Sequence, residues 1–166
     1  MNALAFSPDG RRLAATGEDR LVRMYETHNW TEAAPLRGHN SWAHSVCFSP
    51  DGRSVASAGI DGMIRSWDTR TGAARPSLLG HGGTIHSVCW GPDGRRLATA
   101  SLDGTVRVWD APADDPQQPP STGTTSIRPP TGSVRSVSFS RDGSRIRLHL
   151  RDSPAAANAV LVLPTE

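Results

Sequence analysis

Pro8, Pro50 and Pro92 each open the tripeptide Pro-Asp-Gly, at intervals of 50 − 8 = 42 and 92 − 50 = 42 residues. Asp19, Asp61 and Asp103 keep the same step, and so do Tyr25, Trp67 and Trp109. A fixed period near forty means one supersecondary unit copied along the chain, each copy burying its apolar faces against its neighbours. A chain of 166 residues with 36% apolar and 20% charged content has ordinary globular composition, so the repeats are expected to form a packed array and not a disordered tract.

Within one unit the pattern is β. The runs "HSVCFSP" and "RSVASAG" are short, rich in small and β-branched residues, and bounded by turn residues. Ser49-Pro50-Asp51-Gly52 places Pro at a turn corner and Gly where a left-handed φ is needed, while Asp61-Gly62 and Asp103-Gly104 read as two-residue hairpin turns. Each unit is therefore expected to hold three antiparallel strands, with a short fourth around "APL" or "SLL".

The stretches "GHNSWAHSVCFSPDGRSVASAGIDGMIRSWD" and "GHGGTIHSVCWGPDGRRLATASLDGTVRVWD" combine a Gly-His opener, an Asp-Gly turn and a closing Trp-Asp. In this the chain resembles the WD-repeat (WD40) family of β-propellers, well from about Ala3 to Asp110 and partially from Ser133 to Ile146. The resemblance implies an all-β fold of four-stranded antiparallel blades. It also implies a hydrogen-bonded set within each blade, made by His39, Ser57, Asp61 and Trp67 in one repeat and by His81, Thr99, Asp103 and Trp109 in the next. An indole N–H and an imidazole inside a packed sheet need partners, and a carboxylate can fix the imidazole tautomer. The first repeat departs from the pattern, with Ala15 in place of the hydroxyl residue and Tyr25-Glu26 in place of Trp-Asp, and is expected to be incomplete.

The regularity ends at Asp110. Residues 1–110 read as three blades, 111–130 as a Pro-rich linker or insertion, 131–150 as a degenerate fourth blade and 151–166 as a divergent tail. Roughly three and a half blades fall short of the four to eight that close a propeller, so an open arc with an apolar face at each end is expected. Self-association, or blades from another chain, would cover those faces.

Little points to chemistry. His39 and His81 are accounted for by the blade network, no short paired ligand spacing suggests zinc, and "GHGG" reads as a turn and not a phosphate loop. Every Ser, His and Asp trio is better explained by the network, so neither enzyme activity nor a cofactor is expected. Cys47 and Cys89 occupy equivalent places in "SVCF" and "SVCW" and read as two free thiols. Arg11-Arg12, Arg53, Arg95-Arg96 and Arg145 recur after successive Asp-Gly pairs, but Asp9, Asp51, Asp93 and Asp142 largely offset them, and a net charge of +2 argues for neither nucleic acid nor an anionic membrane, so a nucleic-acid partner is not expected.

Loops on the other rim carry Trp42, His44, Ile60, His86 and Leu102, an apolar and aromatic selection suited to a protein or peptide partner. The expected function is a non-catalytic protein-interaction scaffold. The alternatives are a sensor or regulatory fragment of a larger kinase- or NTPase-linked signalling protein, or a truncated fragment without function. No run is long and apolar enough to span a membrane, and "MNALAFSPDG" lacks the pattern of an export signal, so a cytoplasmic location is expected. All 18 basic residues are Arg, a bias that points to a bacterial source.

Overall fold

A computed structural model describes residues 1–112, 124–129, 133–150 and 158–163, with the side chains of residues 158, 159 and 161 left aside. The described residues form strands and turns, with no helix among them. The first sheet runs in the order β1 (Ala3–Phe6), β2 (Arg12–Thr16), β3 (Val22–Glu26) and β4 (Thr31–Glu32). The second comprises β5 (Ala43–Phe48), β6 (Ser54–Gly59) and β7 (Ile64–Asp68). The third holds β8 (Ile85–Trp90), β9 (Arg96–Ser101), β10 (Val106–Asp110) and β11 (Thr124–Ile127), and the fourth β12 (Val134–Phe139), β13 (Arg145–Leu150) and β14 (Asn158–Val162). All pairings are antiparallel, and β1, β5, β8 and β12 lie side by side along one wall of an open arc.

Strand pairing fills in three of these segments. The first blade is a complete four-stranded sheet, because β4 pairs Glu32 with Tyr25 and Thr31 with Glu26. The second blade has three full strands, and its outer edge is closed by the bridges Ile64 to Leu78 and Trp67 to Ala74, with the Asp68 amide bonding Ala73 and the Arg75 amide bonding Ser66. Part of the divergent tail becomes β14, which pairs with β13 as the third strand of the fourth blade. The Pro-rich stretch lies outside the described residues from 113 to 123, but Thr124–Ile127 joins β10 as an outer strand.

Turn chemistry explains why the first repeat is faint in sequence yet regular in shape. Gly62 and Gly104 sit in left-handed turns at φ 69° and 80°, and Arg20 takes the same place in the first blade at φ 67°. A residue with a Cβ tolerates that conformation at a cost and does not abolish the turn.

The core lies between blades. One face of each blade, here its leading face, packs on the trailing face of the blade before it. Val46, Phe48, Val55 and Trp67 of the second blade meet Ala14, Val22, Met24 and Leu36 of the first. Ile85, Val88, Leu97 and Trp109 meet Ala56, Ala58, Ile64 and Leu78 in the same way. The third seam sets Val134, Val137, Ile146, Leu148 and Leu163 on Ala98, Ala100, Val106 and Val108. On the second strand Val55, Leu97 and Ile146 lead while Ala14, Ala56 and Ala98 trail, which lets two sheets interdigitate at ordinary spacing.

Candidate functional site

Two buried polar chains hold the connection before each inner strand against the turn between its second and third strands. In the third blade Trp109 Nε1–H donates to Thr99 Oγ1 at 2.8 Å, Thr99 Oγ1 lies 2.7 Å from His81 Nε2, and His81 Nδ1 lies 2.8 Å from Asp103 Oδ2. An indole can only donate, so Thr99 accepts from it and passes its own proton toward Nε2; His81 then carries its proton on Nδ1 and donates to the carboxylate. The imidazole is neutral and every donor in the line has one acceptor. The His81 side chain is fully buried, which lowers its pKa, and this outweighs the raising effect of Asp103. Burial raises Asp103, yet bonds from Thr105, His81 and Gly82 overcome it and hold the carboxyl well below the usual range.

The second blade repeats the arrangement. His39 Nδ1 lies 2.8 Å from Asp61 Oδ2 and Nε2 lies 2.7 Å from Ser57 Oγ, while the Trp67 ring stands 6.2 Å from the imidazole at 57°. Asp61 also accepts the N–H groups of Asn40 and Met63 at 3.1 and 3.2 Å. Burial raises its pKa, but the bonds from His39 and these amides win and lower it. In the first blade Asp19 pairs with Arg23 at 2.9 Å.

Thr105 escaped the sequence reading. Its hydroxyl donates to Asp103 at 2.6 Å and its amide does so at 2.9 Å. A hydroxyl residue two places after the network Asp was the available signal. Arg107 was missed as well, although Arg23, Arg65 and Arg107 keep the repeat step; its guanidinium lies 5.8 Å from the Trp109 ring centre. This stacking brings Arg107 Nη1 within 2.8 Å of where a Cβ on Gly80 would stand, and Gly80 has φ +151°. The Gly of each Gly-His opener is thus demanded by backbone and by space.

The rim residues follow directly from these supports. Ile60 precedes Asp61 and Leu102 precedes Asp103, so the two networks anchor the turns that carry them. Ile60 N–H donates to the Trp42 carbonyl at 3.0 Å, and Leu102 N–H to that of Thr84 at 2.8 Å. Trp42, Ile60 and Leu102 remain 43%, 40% and 56% exposed. His44 and His86 sit at irregularities in the inner-strand pairing, between Ala43 and Ser45 and between Ile85 and Ser87, with their rings 5.8 Å apart across the seam. A bulge re-aims a side chain, and here it brings two imidazoles from neighbouring blades together.

The opposite rim carries the arginines. Arg12 bonds Glu26 and the Thr69 carbonyl, Arg96 bonds Asp93, and Asp9, Asp51 and Asp142 each accept a serine hydroxyl at 2.6 Å, from Ser7, Ser49 and Ser140. Bonds from Ser140 and Ser144 hold Asp142 down at about 2. Both cysteines are free thiols, and burial pushes them up, Cys89 to about 12. Among the described residues no three metal-ligating side chains converge.

A family model described as "WD domain, G-beta repeat" matches residues 1–26, 30–68 and 74–110. No curated protein matches the chain.

Proposed function

Because the chain belongs to the WD-repeat family, whose repeats generally mediate protein–protein interaction, we propose that it is a non-catalytic scaffold that binds a protein or peptide through the rim of Trp42, Ile60 and Leu102, flanked by His44 and His86. The observation that carries this reading is the pairing of exposed apolar side chains with backbone held from beneath: Asp61 and Asp103 each draw together an opener loop and a hairpin turn. Anchors presented on such a fixed frame lose little freedom on binding, and that is where interface energy concentrates. The histidine networks serve the frame, and the partner meets only what they position.

The test is selection of binders from a displayed peptide library against the intact chain, followed by Trp42→Asp and Leu102→Asp. Each substitution is expected to weaken rim-directed binders about 30-fold, the equivalent of ~2 kcal/mol at an anchor, and to leave the melting curve in place. Binders that tolerate both substitutions would remove the rim from consideration.

A further inference from the structure

The two flanks of the arc differ in chemistry. Leu4 and Phe6 on β1 hold the register places of Val46 and Phe48, opposite Ala15 and Leu13 as Val46 and Phe48 are opposite Ser57 and Val55. Val46 and Phe48 are 6% and 8% exposed, whereas Leu4 and Phe6 are 50% and 61% exposed. Leu13 and Tyr25, at the places of the buried Val55 and Trp67, are half-buried on the same face. The first blade therefore presents a leading face built like those that are covered elsewhere in the molecule.

The far flank does not match it. Where the trailing faces of the first three blades carry Ala14 and Thr16, Ala56 and Ala58, and Ala98 and Ala100, all buried, the fourth carries Arg147 and His149, both exposed. The register makes the equivalence explicit: Arg147 and His149 lie opposite Ser138 and Ser136, as Ala98 and Ala100 lie opposite Cys89 and Ser87. The far flank is thus mixed, with exposed Val160 and Val162 on β14 opposite Arg147 and Arg145, whereas the near flank is apolar. A guanidinium and an imidazole set against Leu4 and Phe6 would lose water without gaining a partner. Head-to-tail addition of copies is blocked at that point.

The three seams within the molecule also specify what does fit a leading face. Besides two small residues on the second strand, the trailing blade offers a hydroxyl on its first strand in the second and third seams, where the first seam has Ala3: Ser45 Oγ accepts the Val88 amide at 3.1 Å and Ser87 Oγ accepts that of Val137 at 3.2 Å. An arginine at the start of the second strand can clasp the next blade's carbonyl, as Arg12 does to Thr69 and Arg96 to Gly143. The fourth blade keeps Ser136 and Arg145 at these places.

We propose that the leading face of the first blade docks a further propeller blade from outside this sequence, one with small residues at the two second-strand positions and a hydroxyl on its first strand, and that Arg147 and His149 keep copies of this chain from occupying it. The surface is distinct from the rim, so the variant Trp42→Asp retains it and the two readings fail separately.

The probe is the full chain itself, altered to resemble that partner. Phe6→Asp with Arg147→Ala and His149→Ala gives a donor with a small-residue trailing face and no adhesive leading face. Mixed with the unaltered chain in sedimentation velocity, this donor is expected to form a one-to-one complex, and replacing the unaltered chain by Phe6→Asp should weaken it about 100-fold. Arg147→Ala with His149→Ala alone should form larger assemblies as concentration rises, since head-to-tail contacts need not close. A folded donor that forms no complex overturns the proposal, and so does a Phe6→Asp chain, with its charges retained, that binds equally well. A dimer of the unaltered chain that Phe6→Asp abolishes would make a second copy the occupant, with the same outcome. If the donor misfolds by circular dichroism, Leu4→Glu with Arg147→Ser and His149→Ser provides the same comparison.

Discussion

Replacing Asp103 by Ala removes the acceptor at the end of a line that begins at Trp109. Four donors lose their partner: His81 Nδ1–H at 2.8 Å, Thr105 Oγ1–H at 2.6 Å, and the amides of Thr105 and Gly82 at 2.9 and 3.0 Å. They are not equal in consequence. Gly82 is exposed and its amide can turn to water, but the His81 side chain has no accessible surface and keeps only the long contact of its Nδ1 with Thr105 Oγ1 at 3.3 Å. Leaving a buried donor unpaired costs ~1–3 kcal/mol, and loosening the turn adds to it, so a total of about 2–3 kcal/mol is expected. For a chain of this length that corresponds to a fall in melting temperature of roughly 5–10 °C. The first blade supplies the control, since Asp19→Ala at the same register removes an exposed pair with Arg23 and an exposed bond from the Leu21 amide, and should cost under ~1 kcal/mol. Thermal denaturation followed by circular dichroism distinguishes them. Thr99→Val breaks the same line at its centre, and in combination with Asp103→Ala its cost should be less than additive because both strand His81. An unchanged melting curve for Asp103→Ala, or equal losses at Asp19 and Asp103, would refute the account.

Three further outcomes are expected. Burial holds His81 below its ordinary value of 6.5, so the stabilisation linked to its neutral form is complete above that value and declines as the pH drops below it; Asp61 and Asp103, held below 3.8, add a second loss only as the pH falls through their own lower values. Melting temperatures measured from pH 8 to pH 4 should show the first decline beginning near 6.5 and should show it flattened in His81→Gln. Gly80→Ala, which forces a Cβ toward Arg107 and to 3.2 Å from Trp109 at φ +151°, should lower stability by ~2 kcal/mol, while Arg20→Gly relieves a left-handed turn and should raise it by ~0.5–1 kcal/mol; equal melting curves would contradict both.

Much of the local architecture could be read from residues close together in the chain. Pro50-Asp51-Gly52 and Asp61-Gly62 make their turns through their own φ preferences, and the alternation in "HSVCF" marks a strand without reference to anything distant. The hydrogen-bonded set was reached through the family resemblance, and the coordinates bring His39, Ser57 and Asp61 together as they do His81, Thr99, Asp103 and Trp109. Less could be read where pairing creates the signal. Asn158–Val162 shows no turn motif or clear alternation, and becomes a strand because β13 offers it an edge. His44 and His86 read as rim residues in the sequence, but their meeting across the seam depends on the pairing irregularities that re-aim them.

The interval of 42 residues, the turn residues and the period-two alternation determined by themselves that this chain builds a series of antiparallel blades, because each of these is satisfied within a few residues or within one hairpin. Which faces would be hidden was decided only when the sheets met. Leu4 and Val46 are alike in their own strands, and Arg147 and Ala98 occupy the same register place. Burial belongs to the seam between two blades and not to either blade alone, so a covered valine, a bare leucine and a charged flank emerge from packing order.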